Sequence, residues 1–111
     1  MFPKQIQDRL DKGIGCWSDI GDGWIPLIVE LDKKLTEINP DYTIDQIKEK
    51  FGGLRFYASG LEHDGAYKLI EEAESKSYMI CEECGTSGAR RTIKGWLKTL
   101  CDKHYLESKG Q

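Results

Sequence analysis

Cys81-Glu82-Glu83-Cys84-Gly85 and, with sixteen residues between Cys84 and Cys101, Cys101-Asp102-Lys103-His104 decide how the rest of this 111-residue chain is read. A C-x2-C pair followed at this separation by a C-x2-H pair has the spacing of a tetrahedral Cys3His zinc site. Zn2+ prefers thiolate sulfur and imidazole nitrogen. Two residues between ligands let one tight turn present both to a single ion. Gly85 fits a knuckle, which needs a residue tolerant of positive φ and backbone N–H groups free to face the sulfurs.

Between the pairs lies Gly85 to Leu100, GTSGARRTIKGWLKTL. Arg91 to Ile93 and Trp96 to Leu100 read as two short strands joined at Lys94-Gly95. A helix from Cys101 to Leu106 then sets Cys101 and His104 on one face at i and i+3. Knuckle, hairpin and helix in this order resemble a treble-clef zinc module. With four protein ligands no position is left open, so one structural Zn2+ is expected, stapling about thirty residues that cannot build their own core.

Other chemistries fit these residues less well. A structural disulfide suits an exported chain, yet Met1 to Gly13 has neither the basic start nor the apolar run of a secretory signal. A redox C-x-x-C leaves Cys101 and His104 unexplained. An iron–sulfur cluster asks for four cysteines, and Cys16 is distant in sequence.

Working outward, residues 78–111 form the expected zinc module and residues 1–77 a body on which it packs. The fold class is α+β: about three helices and a β-hairpin, then the module's hairpin and short helix. Pro3 to Leu10 reads as a helix with Ile6 and Leu10 on one face. Gly15 to Trp24 is a Gly/Asp-rich loop. Asp22 is a candidate N-cap for a second helix, in which Trp24, Leu27, Ile28, Leu31, Leu35 and Ile38 follow a 3.6 period. Asn39-Pro40 ends it. Tyr42 to Phe51 fits a helix or a strand. Gly52-Gly53 followed by Leu54 to Ala58 favours a hairpin turning at the glycine pair, with Phe51, Leu54 and Phe56 inward. A third helix spans about Ala66 to Lys76, and Ser77 to Ile80 leads, extended, into the cysteines.

Charge separates along the chain. Residues 1–77 hold 10 Lys/Arg and 15 Asp/Glu, whereas residues 78–111 hold 6 and 4. The acidic body discourages non-specific DNA binding; the basic tail allows a local phosphate contact. No apolar run reaches the length of a membrane span.

Two groups of residues are candidate partner contacts. Lys48, Lys50, Arg55 and Tyr57 share the outer face of the expected hairpin and suit phosphate or an acidic partner; the plain alternative is a solvated strand face. Arg90, Arg91, Lys94 and Lys98, with Trp96 interleaved, suit nucleic acid. The alternative there is a soluble hairpin whose cations offset the surplus negative charge of a Cys3His zinc site. Trp17 and Trp24 flank the Gly/Asp-rich loop, as a recognition surface or as its core anchors. Glu71, Glu72 and Glu74 read as a solvated helix face, and Cys16 as a small buried hydrophobe.

Treble-clef modules are similar to the HNH nucleases, which need a His general base and further His or Asn metal ligands. Only His63 and His104 are present, and His104 is committed to zinc. No catalytic constellation stands out. Over roughly residues 15–105 the chain also resembles a group of small bacteriophage and prophage proteins. The likeness is carried by Gly21-Asp22-Gly23-Trp24, by Lys48 to Tyr57 (KEKFGGLRFY), by Cys81 to Gly85, and by Gly95 to Cys101 (GWLKTLC). That resemblance implies a phage-type protein in the cytoplasm of a bacterial host. The combined expectation is an accessory protein that binds, and modulates or inhibits, a host or phage protein. A nucleic-acid-binding module using the 90–98 hairpin comes second, and a degenerate HNH-like nuclease third.

Overall fold

The structure, a computed structural model, describes residues 2–12 and 18–110. Among these the chain is α+β, with four α-helices, one 3-10 turn and two antiparallel hairpins. Helix α1 is Lys4–Lys12. The 3-10 turn Asp22–Trp24 runs into α2, Ile25–Ile38. Strands β1, Thr43–Lys50, and β2, Gly53–Ser59, form the first hairpin, followed by α3, Asp64–Ser77. Strands β3, Ala89–Ile93, and β4, Trp96–Leu100, form the second hairpin, and α4 is Asp102–Lys109.

The periodicities locate the core. Ile6 and Leu10 of α1, Trp24, and Ile28, Leu31 and Leu35 of α2 are buried together with Ile44, Ile47, Leu54 and Phe56 of the first hairpin. Ala66, Ile70 and Ala73 of α3 close the cluster. Truncating a side chain such as Leu35 to Ala in a core of this kind costs about 2–5 kcal/mol. A buried polar knot ties α1 to α2. Arg9 Nε lies 2.8 Å from Asp32 Oδ1, and its guanidinium donates to the carbonyls of Pro40 and Tyr42 and to Thr36 Oγ1. Tyr42 donates its hydroxyl proton to Asp32 at 2.5 Å while its ring lies 4.1 Å beneath the guanidinium.

The first hairpin has both edges occupied. On the β2 side, Leu54 N–H donates to Ser77 Oγ and Phe56 N–H to Glu74 Oε2, each at 2.9 Å. On the β1 side, Ile47 N–H donates to Ser18 Oγ, and its carbonyl accepts from Asp19 N–H. Two strands alone are marginal in water. Here the outward amides meet polar groups of neighbouring segments instead of solvent.

Several expectations are corrected. The first hairpin turns at Phe51-Gly52, not Gly52-Gly53: Lys50 pairs with Gly53, and both turn residues have left-handed φ, 55° and 85°. Phe51 is therefore not a core residue; it is 61% exposed at the tip. Of residues 42–51, Thr43–Lys50 are strand and not helix, with a register shift between Ile44 and Gln46 that keeps Ile44 and Ile47 both inward. Asp22 is not the N-cap of α2; it opens the 3-10 turn, and Trp24 is the N-cap. Ser77 ends α3 and Tyr78-Met79 form a turn, so the lead-in to Cys81 is not extended. Glu71 and Glu72 are exposed, but Glu74 is half-buried as the partner of Phe56. Trp24 is fully buried and anchors its loop. Cys16 and Trp17 lie outside the described residues. Among those described, no helix is long and apolar enough to cross a membrane.

Candidate metal centre and basic faces

Cys81, Cys84, Cys101 and His104 converge, their ligand atoms all within 4.8 Å of one another. Cys84 Sγ and Cys101 Sγ are 3.8 Å apart, and His104 Nδ1 lies 3.6 Å from Cys81 Sγ and 3.2 Å from Cys101 Sγ. A tetrahedral ion with bonds near 2.3 Å to sulfur and 2.05 Å to nitrogen sets such donors about 3.6–3.8 Å apart. Two of these three separations match that spacing and the third is shorter, so the four side chains are placed where they could hold one metal ion. His104 faces it through Nδ1, leaving Nε2 toward Glu107 at 3.9 Å.

Local structure builds this arrangement. Gly85 N–H donates to the Cys81 carbonyl and Cys81 N–H to the Thr86 carbonyl, closing the knuckle, with Gly85 at φ 83°. Cys101 is the N-cap of α4 and its sulfur accepts the His104 N–H at 3.5 Å. A helix start thus presents the second ligand pair. The surroundings favour thiolate at two positions. The Thr86 hydroxyl and N–H draw the Cys84 thiol down to about 7, and the His104 N–H lowers Cys101. Burial pushes Cys81 up, against the backbone N–H groups of Cys101, Cys84 and Glu83.

The knuckle is locked to the body by residues that spacing alone does not flag. Glu82, between two ligands, is buried; its carboxylate accepts the Gly21 N–H at 2.9 Å and its carbonyl the Gly23 N–H at 2.7 Å. Trp24 Nε1 donates to the Ile80 carbonyl at 2.9 Å. A Cβ at Gly21 or Gly23 would collide with the Glu82 or Cys81 carbonyl. Gly53 is likewise covered by the Tyr78 ring, and Thr99 donates to the Gly52 carbonyl at 2.5 Å. The Gly-Asp-Gly-Trp and Phe-Gly-Gly-Leu stretches are therefore where the cysteine segment seats. The buried Glu82 has its pKa raised by desolvation, offset in part by the Gly21 N–H.

The basic candidates sort by strand face. Lys48 pairs with Arg55, and Lys50 with Gly53, so Lys48, Lys50, Arg55 and Tyr57 do lie together on the face away from the core. In the second hairpin Arg91 pairs with Lys98, and Ile93 with Trp96, on one face. Arg90 pairs with Thr99 on the other, so the hairpin's cations are not one surface. Arg91 pairs with Asp102 at 2.6 Å and lies over Tyr105. Trp96 is 74% exposed beside the Lys94-Gly95 turn. Arg90 instead lies 5.4 Å from the Tyr78 ring centre, and the Tyr78 hydroxyl is 3.4 Å from both terminal nitrogens of Arg55. His63 accepts the Gly65 N–H at 3.0 Å and caps α3. Comparison with known protein families, with curated proteins and with solved structures yields no match.

Proposed function

We propose that the Cys3His cluster holds one structural Zn2+ in a treble-clef-like module, and that the chain is a small phage-type accessory protein of the bacterial cytoplasm. It works by binding and modulating a host or phage protein. The observation that supports this reading is the convergence of three sulfurs and one nitrogen: four protein ligands on one tetrahedral ion would leave no coordination position for a substrate. The knuckle, the β3–β4 hairpin and the helix carrying the second ligand pair support the treble-clef assignment. Both histidines already have structural tasks, His63 as a helix cap and His104 in the cluster, which ranks binding ahead of a degenerate nuclease.

Affinity capture from a bacterial lysate with the zinc-loaded chain, read by mass spectrometry, tests the reading. One stoichiometric protein is the expected result; an empty capture beside firm nucleic-acid binding reverses it. The nucleic-acid reading rests on Trp96, exposed next to the basic turn. It requires binding that weakens steeply with salt and is abolished by Arg90→Glu with Arg91→Glu.

A further inference from the structure

Arg55 and Arg90, one residue from each basic group and far apart in sequence, meet at Tyr78. Its ring covers Gly53 on the outer face of the first hairpin, its hydroxyl reaches Arg55, and Arg90 from β3 lies against the ring. Across the same face Lys48 sits 5.7 Å from the Tyr57 ring centre, and Lys50 5.6 Å from that of Phe51. Lys48, Lys50, Arg55 and Arg90 thus form a row of cations, each beside an aromatic ring, with Arg55 and Arg90 joined through Tyr78. Glu74 lies near Arg55 but is engaged by the Phe56 N–H, Glu49, between the two lysines, accepts the Gly52 N–H at the turn, and Asp19 meets Lys48 through a backbone bridge.

Phe51 adds an independent sign. Its φ of 55° is a conformation suited to Gly or Asn, and its ring contributes nothing to the core. A turn optimised for folding alone has no reason to hold an exposed aromatic there.

We infer that this row is the docking face for an acidic segment of a partner protein, whose carboxylates pair with Lys48, Lys50, Arg55 and Arg90 and whose apolar residues rest on Phe51 and Tyr57. The inference rests on the reading of the chain as a binding protein. Charge complementarity chooses the occupant. A row of four cations within a chain of net charge −3 attracts a short acidic segment locally, whereas the surrounding acidic body repels a long polyanion. The rings also carry their own cations on one side, which leaves less face for stacked bases. Both outer edges of the hairpin are taken, so the segment lies across the face rather than adding as a strand.

The test titrates the zinc-loaded full chain with an acetylated EEDLEEDLEE peptide, followed by amide shifts. Shifts at Lys48, Lys50, Arg55, Tyr57 and Arg90, weakening with salt, support the assignment. Lys48→Glu with Arg90→Glu is expected to reduce affinity about ten-fold or more, and Lys48→Gln with Arg90→Gln to reduce it less, with amide spectra elsewhere unchanged. No binding at low salt, binding untouched by the charge reversals, or tighter binding of an oligothymidylate at these same residues overturns it. If the reversed variant still captures the partner that the native chain captures, the docking face is wrong and the binding reading stands. If the native chain captures nothing, the binding reading fails while the peptide titration still judges the face.

Discussion

The carboxylate of Glu82 accepts the backbone N–H of Gly21 at 2.9 Å, so a residue framed by Cys81 and Cys84 reaches into the helical body. Removing the acceptor strands a buried amide. Glu82→Ala is expected to lower stability by about 1–3 kcal/mol. Glu82→Gln keeps an oxygen acceptor and sheds the desolvated charge that raises this group's pKa, so it should stay close to the native chain. Denaturant melts of the zinc-loaded variants decide between them.

An ion held by the four converging side chains would supply folding energy to the C-terminal segment. Elemental analysis is expected to find about one zinc per chain. Cys84→Ser, or a strong chelator, should melt residues 78–110 while the core of Ile28, Leu35, Ile47 and Phe56 persists, seen as selective loss of amide protection. Because burial keeps the Cys81 thiol protonated above its usual range, uptake of the ion near neutral pH releases protons, and affinity rises with pH. Calorimetry in buffers of differing ionisation enthalpy measures that release.

Ser77 is fully buried, donating to the Glu74 carbonyl and accepting the Leu54 N–H. Ser77→Ala leaves that strand amide unpaired. A loss of about 1–3 kcal/mol follows, with faster hydrogen exchange at Leu54 than at its neighbours. A Gly at the same position should be worse, since it adds backbone freedom near the helix end.

Tyr42 predicts the alkaline limit. Burial, with the Asp32 hydrogen bond, raises its pKa above the ordinary 10.0. A group raised in the folded state contributes its full stability below the unfolded value and loses it as pH climbs beyond. The native chain should therefore weaken above about pH 10, with tyrosinate absorbance from this residue appearing only as the fold is lost. Tyr42→Phe removes that coupling, at a cost of about 1.5–3 kcal/mol for a hydrogen bond to a charged acceptor.

Phe51→Asn tests the exposed turn. Asn tolerates left-handed φ, and the change removes no core contact, so stability should rise by roughly 0.5–1 kcal/mol. Thermal melts read the gain, and weaker capture of the partner by the same variant would mark the trade.

The convergence of Cys81, Cys84, Cys101 and His104, the core faces of α1, α2 and α3, and the β3–β4 hairpin with its Lys94-Gly95 turn were legible because spacing and period report them directly. The first turn was misplaced because a Gly-Gly pair is a stronger local signal than Phe-Gly. What reserves Gly53 for a strand is the Tyr78 ring, a contact between residues twenty-five apart in sequence. Glu74 looked like part of a solvated carboxylate run because nothing local reveals the Phe56 amide opposite it. Glu82 was overlooked for the same reason: its partner is Gly21. The chain could be read for what each segment does alone, and not for which segments touch.

Gly21, Gly23 and Gly53 each have a neighbour standing where a methyl group would go. A saturation scan would score these three positions as intolerant as any reactive centre, although none can perform chemistry. Inactive alleles there would report a failed joint between the two halves of the molecule. Genetic screens that test the proposed docking face should therefore weigh substitutions at Lys48, Lys50, Arg55 and Arg90 above those at the glycines.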